Sequence, residues 1–381
     1  MAGDRYRIFD SDTHVGPDAA ILDNYLSRAE RERLQGWERY RASGRNGQIT
    51  YTKGQRRYRR KLGSAEPEES PGGYMAGFTG VARQRQPSPL VDADPAARIA
   101  DMDLEGVEVN LTLPSGWFGT WTAGDDVALE MAMYRAYHRW MADYCGAFPH
   151  RLGGVVLAGS RDVEASLGEL RRCGAEDWAW GVMVYAPVGV PLDHPEIEPI
   201  YAAAAELDLA VLLHTFTVMP PYAPGGLDTW DNLWLQRSAA HPWCGMRNMA
   251  ALIGSGVMDR YPTLRIGTLE AGHGWLPFWI QRLDEHAETI KAALPALRHR
   301  PSEYVTSGRY FQSIEIPEGA PLTNAVADLL GDEVLMYASD YPHYESWFPD
   351  SVDKIMAWSS ITPDRRQKLF WDNANRCFKQ T

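Results

Sequence analysis

The chain has 381 residues, of which 45% are hydrophobic, 23% charged and 11% aromatic. This length fits either two or three domains of roughly 100–200 residues, or one α/β barrel of about 250 residues with insertions. No apolar run approaches the roughly 18 residues needed to span a bilayer, so the composition excludes the membrane and disordered classes. The formal net charge of −12 disfavours nucleic acid as a partner, because phosphate backbones attract a surplus of Lys and Arg.

The N-terminal sequence and the cysteines predict a cytoplasmic protein. The first ten residues contain no apolar signal segment and lead directly into a predicted strand. Four cysteines are too few for a disulfide framework and too far apart for a zinc-binding CxxC pair, so we expect reduced thiols. They are Cys145, Cys173, Cys244 and Cys377.

Strands and helices alternate along the chain. Runs rich in Val, Ile, Leu and Tyr predict eight strands, at 6–15, 107–115, 151–160, 180–187, 207–216, 263–272, 310–316 and 333–343. Helical spacing predicts helices at 125–148, 161–174, 195–206, 237–261, 275–294 and 320–330. This alternation favours an α/β fold, a closed (β/α)8 TIM barrel, over an open doubly wound sheet, because no glycine-rich nucleotide-binding motif is present.

The segment 27–95 interrupts this alternation. It is rich in Arg and then in Gly and Pro, and 28–61 carries twelve Lys or Arg against three Glu. We expect a single barrel domain over 1–381, with 27–95 as an inserted lid or substrate-binding segment at the catalytic face. The residues Arg56, Arg57, Arg59 and Arg60 could hold the phosphates of coenzyme A, although a solvated charged loop fits them equally well.

Carboxylates and imidazoles recur where the predicted strands end. Alone, each is more typical of a helix cap or of a hydrogen-bonded core group. Together they would bury several acids at one barrel mouth, which costs several kcal/mol per group unless a cation neutralises them. The sequence therefore predicts a metal centre built from Asp12, His14, His214, Glu270, His273, Asp340 and His343.

Three motifs support this prediction by resemblance. The D-x-D-x-H-V motif of the first strand, the stretch from Tyr261 to Pro277 and the eighth-strand sequence ending Ser-Asp-Tyr-Pro-His are similar to the amidohydrolase-2 group of metal-dependent TIM barrels. The resemblance implies that Asp12, His14, His214 and Asp340 bind metal. The chain departs from that group by having Glu270 in place of a catalytic sixth-strand His, and it lacks a metal-bridging Lys on the fourth strand.

Seven candidate ligands exceed what one ion needs, so we expect two ions; the donor types suit iron, manganese or zinc. The sixth-strand Glu-x-x-His motif and the eighth-strand motif together resemble the TIM-barrel non-heme diiron monooxygenases, a branch that hydroxylates a diterpenoid in platensimycin and platencin antibiotic biosynthesis. This resemblance implies two Fe ions, dioxygen as co-substrate, an external electron donor and a CoA thioester substrate. It also implies that Glu270 and His273 are the catalytic residues, acting in hydroxylation of an unactivated carbon.

Two alternatives remain open. A hydrolase or non-oxidative decarboxylase would use Zn or Mn as a Lewis acid, with Glu270 or His273 transferring the proton. A barrel that binds a ligand without catalysis would be a third class, but the ligand set argues against it.

Aromatic side chains in predicted strand-to-helix loops could form the wall of a pocket for a bulky apolar substrate, or simply pack the barrel rim. They are Trp117, Phe118, Trp121, Trp230, Trp234 and Trp347. His194, His241 and Glu315 could support the ligands, but we favour a purely structural role for each. A homo-oligomer is compatible with the sequence.

Overall fold

The computed structural model describes residues 6–43, 47–51, 81–83, 85–187, 189–215, 233–293 and 297–378. Eight parallel strands, each paired with the next along the chain, form a nearly closed barrel surrounded by helices. The predicted (β/α)8 fold is therefore confirmed. The strands are β1 (Phe9–Val15), β2 (Val109–Pro114), β3 (Leu152–Gly159), β4 (Ala179–Tyr185), β5 (Ala210–His214), β6 (Ile266–Leu269), β7 (Tyr310–Ser313) and β8 (Leu335–Met336).

Helices follow the strands in the order that the sequence predicts. They are α1 (Ala19–Leu22), α2 (Arg28–Leu34), α3 (Pro95–Glu105), α4 (Val127–Gly146), α5 (Val163–Cys173), α6 (Glu198–Glu206), α7 (Leu233–Gly254), α8 (Val257–Arg260), α9 (Leu276–Thr289), α10 (Pro301–Tyr304), α11 (Gly319–Leu330), α12 (Ser351–Met356), α13 (Pro363–Gln367) and α14 (Asn373–Cys377). Side-chain oxygens cap several of their first turns, as for Asp94 at α3 and Asp126 at α4.

The barrel closes where β1 meets β8. Only one isolated parallel bridge, between Thr13 and Tyr341, joins the two sides within the described residues. Backbone hydrogen bonds outside the regular ladder complete the closure: the N–H of His14 donates to the carbonyl of Tyr341 at 2.7 Å, and that of Asp340 donates to the carbonyl of Asp12 at 3.0 Å. Both sides of this closure carry predicted metal ligands.

The eighth strand is much shorter than the predicted 333–343. Regular pairing ends at Met336, and Asp340 has a φ of 60°, in the left-handed region that an extended strand cannot contain. The segment after β8 therefore turns across the barrel mouth instead of continuing as a strand.

The described part of the 27–95 segment packs on the barrel. It contains α2 and an antiparallel hairpin of Arg41–Ser43 and Ile49–Tyr51. The rings of Trp37 and Tyr51 lie 5.2 and 5.5 Å from that of Trp121, and the Thr120 hydroxyl donates to the carbonyl of Tyr51 at 2.7 Å. These contacts join the start of the segment to the loop that follows β2.

Two further observations concern the chain as a whole. All four cysteines are buried and form no disulfide. Among the described residues, no helix combines the length and the apolar character that crossing a bilayer requires.

Candidate metal centre

Six of the seven predicted ligands meet at one end of the barrel. Asp12 and His14 lie on β1, on the same side of the strand, and His214 is the last residue of β5. Glu270 directly follows β6, while Asp340 and His343 lie in the segment after β8. The barrel explains this arrangement, because the C-terminal ends of its parallel strands all open onto one face.

The distances between the donor atoms suit a divalent ion. Nε2 of His14 lies 3.4 Å from Oδ1 of Asp12 and 3.1 Å from Oδ1 of Asp340. Nε2 of His214 lies 3.5 Å from the same Asp12 oxygen and 3.1 Å from Oε2 of Glu270. Ligand atoms about 2.1 Å from one ion are about 3.0 to 3.5 Å apart in octahedral or tetrahedral geometry. The cluster therefore has the spacing of a coordination shell.

Burial supports the same conclusion. Asp12, His14 and His214 are almost completely inaccessible to solvent. Within the described residues, Oδ1 of Asp12 and Nε2 of His14 are buried without a well-formed hydrogen bond, although they face each other. Buried polar atoms left without partners are costly, and a coordinated cation would satisfy both. This donor set of carboxylate oxygen and imidazole nitrogen fits iron, manganese or zinc.

The backbone is strained at two of these positions. Glu270 has a φ of 47° and Asp340 a φ of 60°, in the left-handed region that non-glycine residues rarely occupy. Such conformations cost on the order of 1 kcal/mol or more and persist where the surrounding structure imposes them. Both strained residues turn a carboxylate toward the histidines, and strain of this kind is typical of functional sites.

The carboxylates hold the histidines in their charged form in the absence of metal. Burial opposes protonation of His14, but the neighbouring Asp12 and Asp340 outweigh it and raise the pKa of His14 well above its usual value. Burial is likewise outweighed for His214, whose pKa is raised to about 9 by Asp12 and Glu270. A metal ion would replace these protons, because it binds the neutral imidazole.

The six residues form two overlapping groups. Asp12, His14 and His214 make one, and His14, Glu270, Asp340 and His343 make the other. The ring of His343 stacks on that of His14 with centroids 4.0 Å apart, and its Nδ1 lies 2.8 Å from Oδ1 of Asp340. His14 is common to both groups, so the two sets of donors are not independent sites.

The structure does not bring His273 into this cluster, contrary to its predicted roles as ligand and catalytic residue. Its Nδ1 lies 2.9 Å from Oε2 of Glu318, and its Nε2 lies 3.0 Å from the hydroxyl of Thr323. The reason is the backbone: Glu270 and Gly272 both have positive φ, so the chain turns after β6 and carries His273 away from the cluster to Glu318 and Thr323. His273 instead ties the loop after β6 to α11. Nothing in the sequence marks Glu318 as its partner.

Support for the ligands comes partly from Asp10, which the sequence places in the same motif without assigning it a role. Its carboxylate accepts hydrogen bonds from the N–H of Ser339 at 3.0 Å, from the Ser339 hydroxyl, and from the N–H of Asp12 at 3.3 Å. Asp10 thus links the segments that carry Asp12 and Asp340. Burial raises the pKa of Asp10 well above its usual value, although Ser339 partly offsets this.

The three residues that could support the ligands differ in their surroundings. His241, on α7, lies with Nδ1 3.5 Å from Oε1 of Glu270. Burial and the charges of Asp340, Glu270 and Asp12 raise the pKa of Glu315 well above its usual value. His194 instead caps the turn before α6 by accepting the N–H of Glu196 at 3.3 Å.

The predicted substrate-binding residues are scattered. Trp121 is buried in the aromatic contacts with the 27–95 segment, and Trp117 is buried against Phe118 and Trp121. The ring of Trp347 lies 3.7 Å from Nζ of Lys354, while Trp234 is 72% exposed. Trp230 and the basic residues Arg56, Arg57, Arg59 and Arg60 lie outside the described residues, so their predicted contacts with substrate and coenzyme A stay predictions.

Comparison with known proteins identifies the family. The amidohydrolase family model matches residues 76–380. A γ-resorcylate decarboxylase from Polaromonas sp. is 26% identical over 299 residues, which cover 74% of this chain and 86% of that protein.

Two solved structures share the fold. A 5-carboxyvanillate decarboxylase from Novosphingobium aromaticivorans, with bound manganese and a nitrobenzoic acid ligand, superposes with a TM-score of 0.69 at 21% identity, covering 99% of this chain and 98% of that one. A dihydroxybenzoic acid decarboxylase from Polaromonas sp., with bound manganese and 2-nitroresorcinol, gives a TM-score of 0.64 at 16% identity, covering 98% and 96%.

These similarities correct the expected activity. The relatives are decarboxylases, and two contain manganese, so the predicted diiron monooxygenase acting in antibiotic biosynthesis is wrong. Nothing in the comparisons supports iron, dioxygen, an electron donor or an acyl-CoA. The resemblance misled because carboxylate and imidazole ligands serve iron, manganese and zinc alike. The family model covers well over half of the chain, which shows that the chain belongs to the amidohydrolase family.

Proposed function

We propose that the chain is a metal-dependent, non-oxidative decarboxylase that acts on a hydroxylated aromatic carboxylic acid. The observation that carries this proposal is the compact donor set of Asp12, His14, His214 and Asp340, whose atoms have the spacing of a coordination shell. The decarboxylase relatives, and the aromatic ligands bound beside manganese in two of them, support the same reaction class.

The chain offers residues for both parts of this reaction. A divalent ion, manganese or zinc, would supply a Lewis acid for the oxygen atoms of the substrate. Asp12, His14, His214 and Asp340 would hold this ion. Decarboxylation exchanges the carboxylate for a proton at the same ring carbon, so it needs a proton-transfer group but no oxidant.

Glu270 is the proton-transfer residue in this proposal. Its Oε2 faces His214 at 3.1 Å, and its Oε1 lies 3.5 Å from Nδ1 of His241. A carboxyl group beside the His241 imidazole can exchange a proton with it and would pass that proton to the ring carbon of the substrate. His273, the other candidate from the sequence, is held away by Glu318 and Thr323.

The finer features of this proposal concern the 27–95 segment, the number of ions and the substrate. The 27–95 segment would act as a lid, since its described part already packs on the loop after β2. The cluster would hold at least one divalent ion, and the expectation of two ions stays a prediction that elemental analysis of the loaded protein can count. The substrate would be a small aromatic acid.

The test uses the purified chain loaded with Mn²⁺ or Zn²⁺ under strictly anaerobic conditions. We expect CO2 release from at least one of 2,6-dihydroxybenzoate and 5-carboxyvanillate, and none from benzoate, which lacks the neighbouring hydroxyl. Chelation of the metal should abolish the release. A metal-loaded chain that releases no CO2 from either hydroxylated acid would contradict the proposal.

A further inference from the structure

A fully buried guanidinium lies beside the ligand-bearing part of β1. Arg98, on α3, has no exposed surface. Within the described residues it forms no ion pair with a carboxylate, and its partners are oxygens of the backbone, of a hydroxyl and of a phenol. Burying a charge is expensive unless its hydrogen bonds are satisfied, so such a residue calls for a specific explanation.

The first contacts of Arg98 are with β1. Nη2 donates a hydrogen bond to the backbone carbonyl of His14, and Nη1 donates to the hydroxyl of Thr13 at 3.2 Å. Nε donates to the hydroxyl of Tyr144 at 3.1 Å, and that hydroxyl in turn donates to the carbonyl of Val91. The guanidinium thus holds the end of the strand that presents two metal ligands.

The second contact of Arg98 is with the other side of the barrel closure. Its guanidinium lies 5.1 Å from the ring centroid of Tyr341, the residue that follows Asp340. The hydroxyl of Tyr341 donates to Asp101 at 2.6 Å, and its backbone carbonyl accepts the N–H of His14 at 2.7 Å. Both polar backbone atoms of His14 are therefore fixed, one by Arg98 and the other by Tyr341.

We propose that Arg98 is a positioning residue for the metal centre. Its hydrogen bonds go to backbone, hydroxyl and phenol oxygens and not to the ligand side chains, and they fix the backbone that directs His14 toward Asp12 and Asp340. Metal–ligand bonds tolerate deviations of only about 0.2 Å, so a small shift at the end of β1 weakens the site. This inference rests on the metal site of the proposed function, but not on decarboxylation.

An arginine with a purely structural role would affect the melting temperature without affecting the affinity for the metal ion. Arg265 provides the matched control, because it also donates to backbone carbonyls, those of Cys377 and Asp208, just before β6 begins and hence at the opposite end of the barrel. The two arginines should differ in their effect on metal affinity, even where their replacement lowers the melting temperature equally.

The experiment measures the Mn²⁺ dissociation constant and the melting temperature of the metal-free full chain and of three variants. We expect Arg98→Met to bind Mn²⁺ at least tenfold more weakly, as for other groups that orient metal ligands. Arg98→Lys, which keeps the charge but not the fork of donors, should bind several-fold more weakly. Arg265→Met should lower the melting temperature and keep the wild-type dissociation constant.

The result that overturns the inference is an Arg98→Met chain that folds and binds Mn²⁺ as the wild type does. If that variant does not fold, Arg98→Lys decides, and wild-type affinity in it overturns the inference equally. CO2 release is measured in parallel, so failure of the proposed reaction is seen separately from failure of Arg98 to influence metal binding. A wild-type chain that binds neither Mn²⁺ nor Zn²⁺ overturns both, and a chain that binds only Zn²⁺ is titrated with Zn²⁺ in the same comparison.

Discussion

Nε2 of His14 lies 3.1 Å from Oδ1 of Asp340, so the barrel places a side chain of the first strand against one that follows the last strand. The two residues come from opposite ends of the chain. Only closure of the barrel between β1 and β8 brings them together, and Asp10 bonds to backbone on both sides of that closure. Metal binding and barrel closure should therefore support each other.

Asp340→Asn should weaken Mn²⁺ binding at least tenfold. The amide keeps the shape of the side chain but removes the charge that faces His14 and His343. CO2 release should fall by at least the same factor when Mn²⁺ is below saturation. Isothermal titration with Mn²⁺ checks the affinity, and Asp364→Asn, on the exposed surface of α13, is the control that should change neither value. Equal affinity in the two variants would remove Asp340 from the ligand set.

Replacement of His273 should lower the free energy of unfolding and leave the Mn²⁺ affinity unchanged. His273→Gln loses the contacts with Glu318 and Thr323, so we expect unfolding free energy to drop by about 1–3 kcal/mol. His214→Gln should instead lower Mn²⁺ affinity at least tenfold, since its Nε2 faces Asp12 and Glu270. Denaturant unfolding and metal titration of both variants distinguish the two roles. Weaker Mn²⁺ binding in a folded His273→Gln chain would restore it as a ligand.

Acid should destabilise the protein through Glu169, which joins α5 to α4. Burial opposes its ionisation, but hydrogen bonds from His138 and Arg172 outweigh it and lower the pKa of Glu169 from 4.5 to about 2. The unfolded chain therefore binds a proton at higher pH than the folded one. The ionised Glu169 carboxylate contributes on the order of 3 kcal/mol to the free energy of unfolding above pH 4.5, and this contribution disappears as the pH falls toward 2.

Urea unfolding at pH 7, 4.5 and 3 checks this dependence. Glu169→Gln should flatten the loss of stability between pH 4.5 and 3, whereas Glu164→Gln, on the exposed side of the same helix, should follow the wild type. His138 with Glu169 and Cys173 also resembles a metal-binding group. Nε2 of His138 already accepts the N–H of Leu157 at 2.8 Å, so a structural role explains it. The same slope in Glu169→Gln and wild type would show that other groups control acid unfolding.

Local sequence predicted the barrel because hydrophobic alternation and helical spacing depend on neighbouring residues. It also predicted that six candidate ligands lie together, since the ends of parallel barrel strands share one face. His273 was expected in this cluster from the Glu-x-x-His motif, which does not reveal that positive φ angles at Glu270 and Gly272 turn the chain after β6. Only a weak sequence signal points to Arg98. Charged residues at 98, 101 and 105 fall on the buried side of α3, where apolar residues are expected.

The amino-acid sequence by itself determined the fold class and six of the seven candidate ligands that share the barrel mouth, because the composition of each strand and the order of the strands along the chain are visible without the tertiary structure. The tertiary structure alone decided which of those side chains face one another, how the segment after β8 turns, and which buried groups hold the ligands in place. These features depend on backbone dihedral angles and on contacts between residues far apart in the chain. The donor types did not select the metal or the reaction, because iron, manganese and zinc accept the same oxygen and nitrogen ligands.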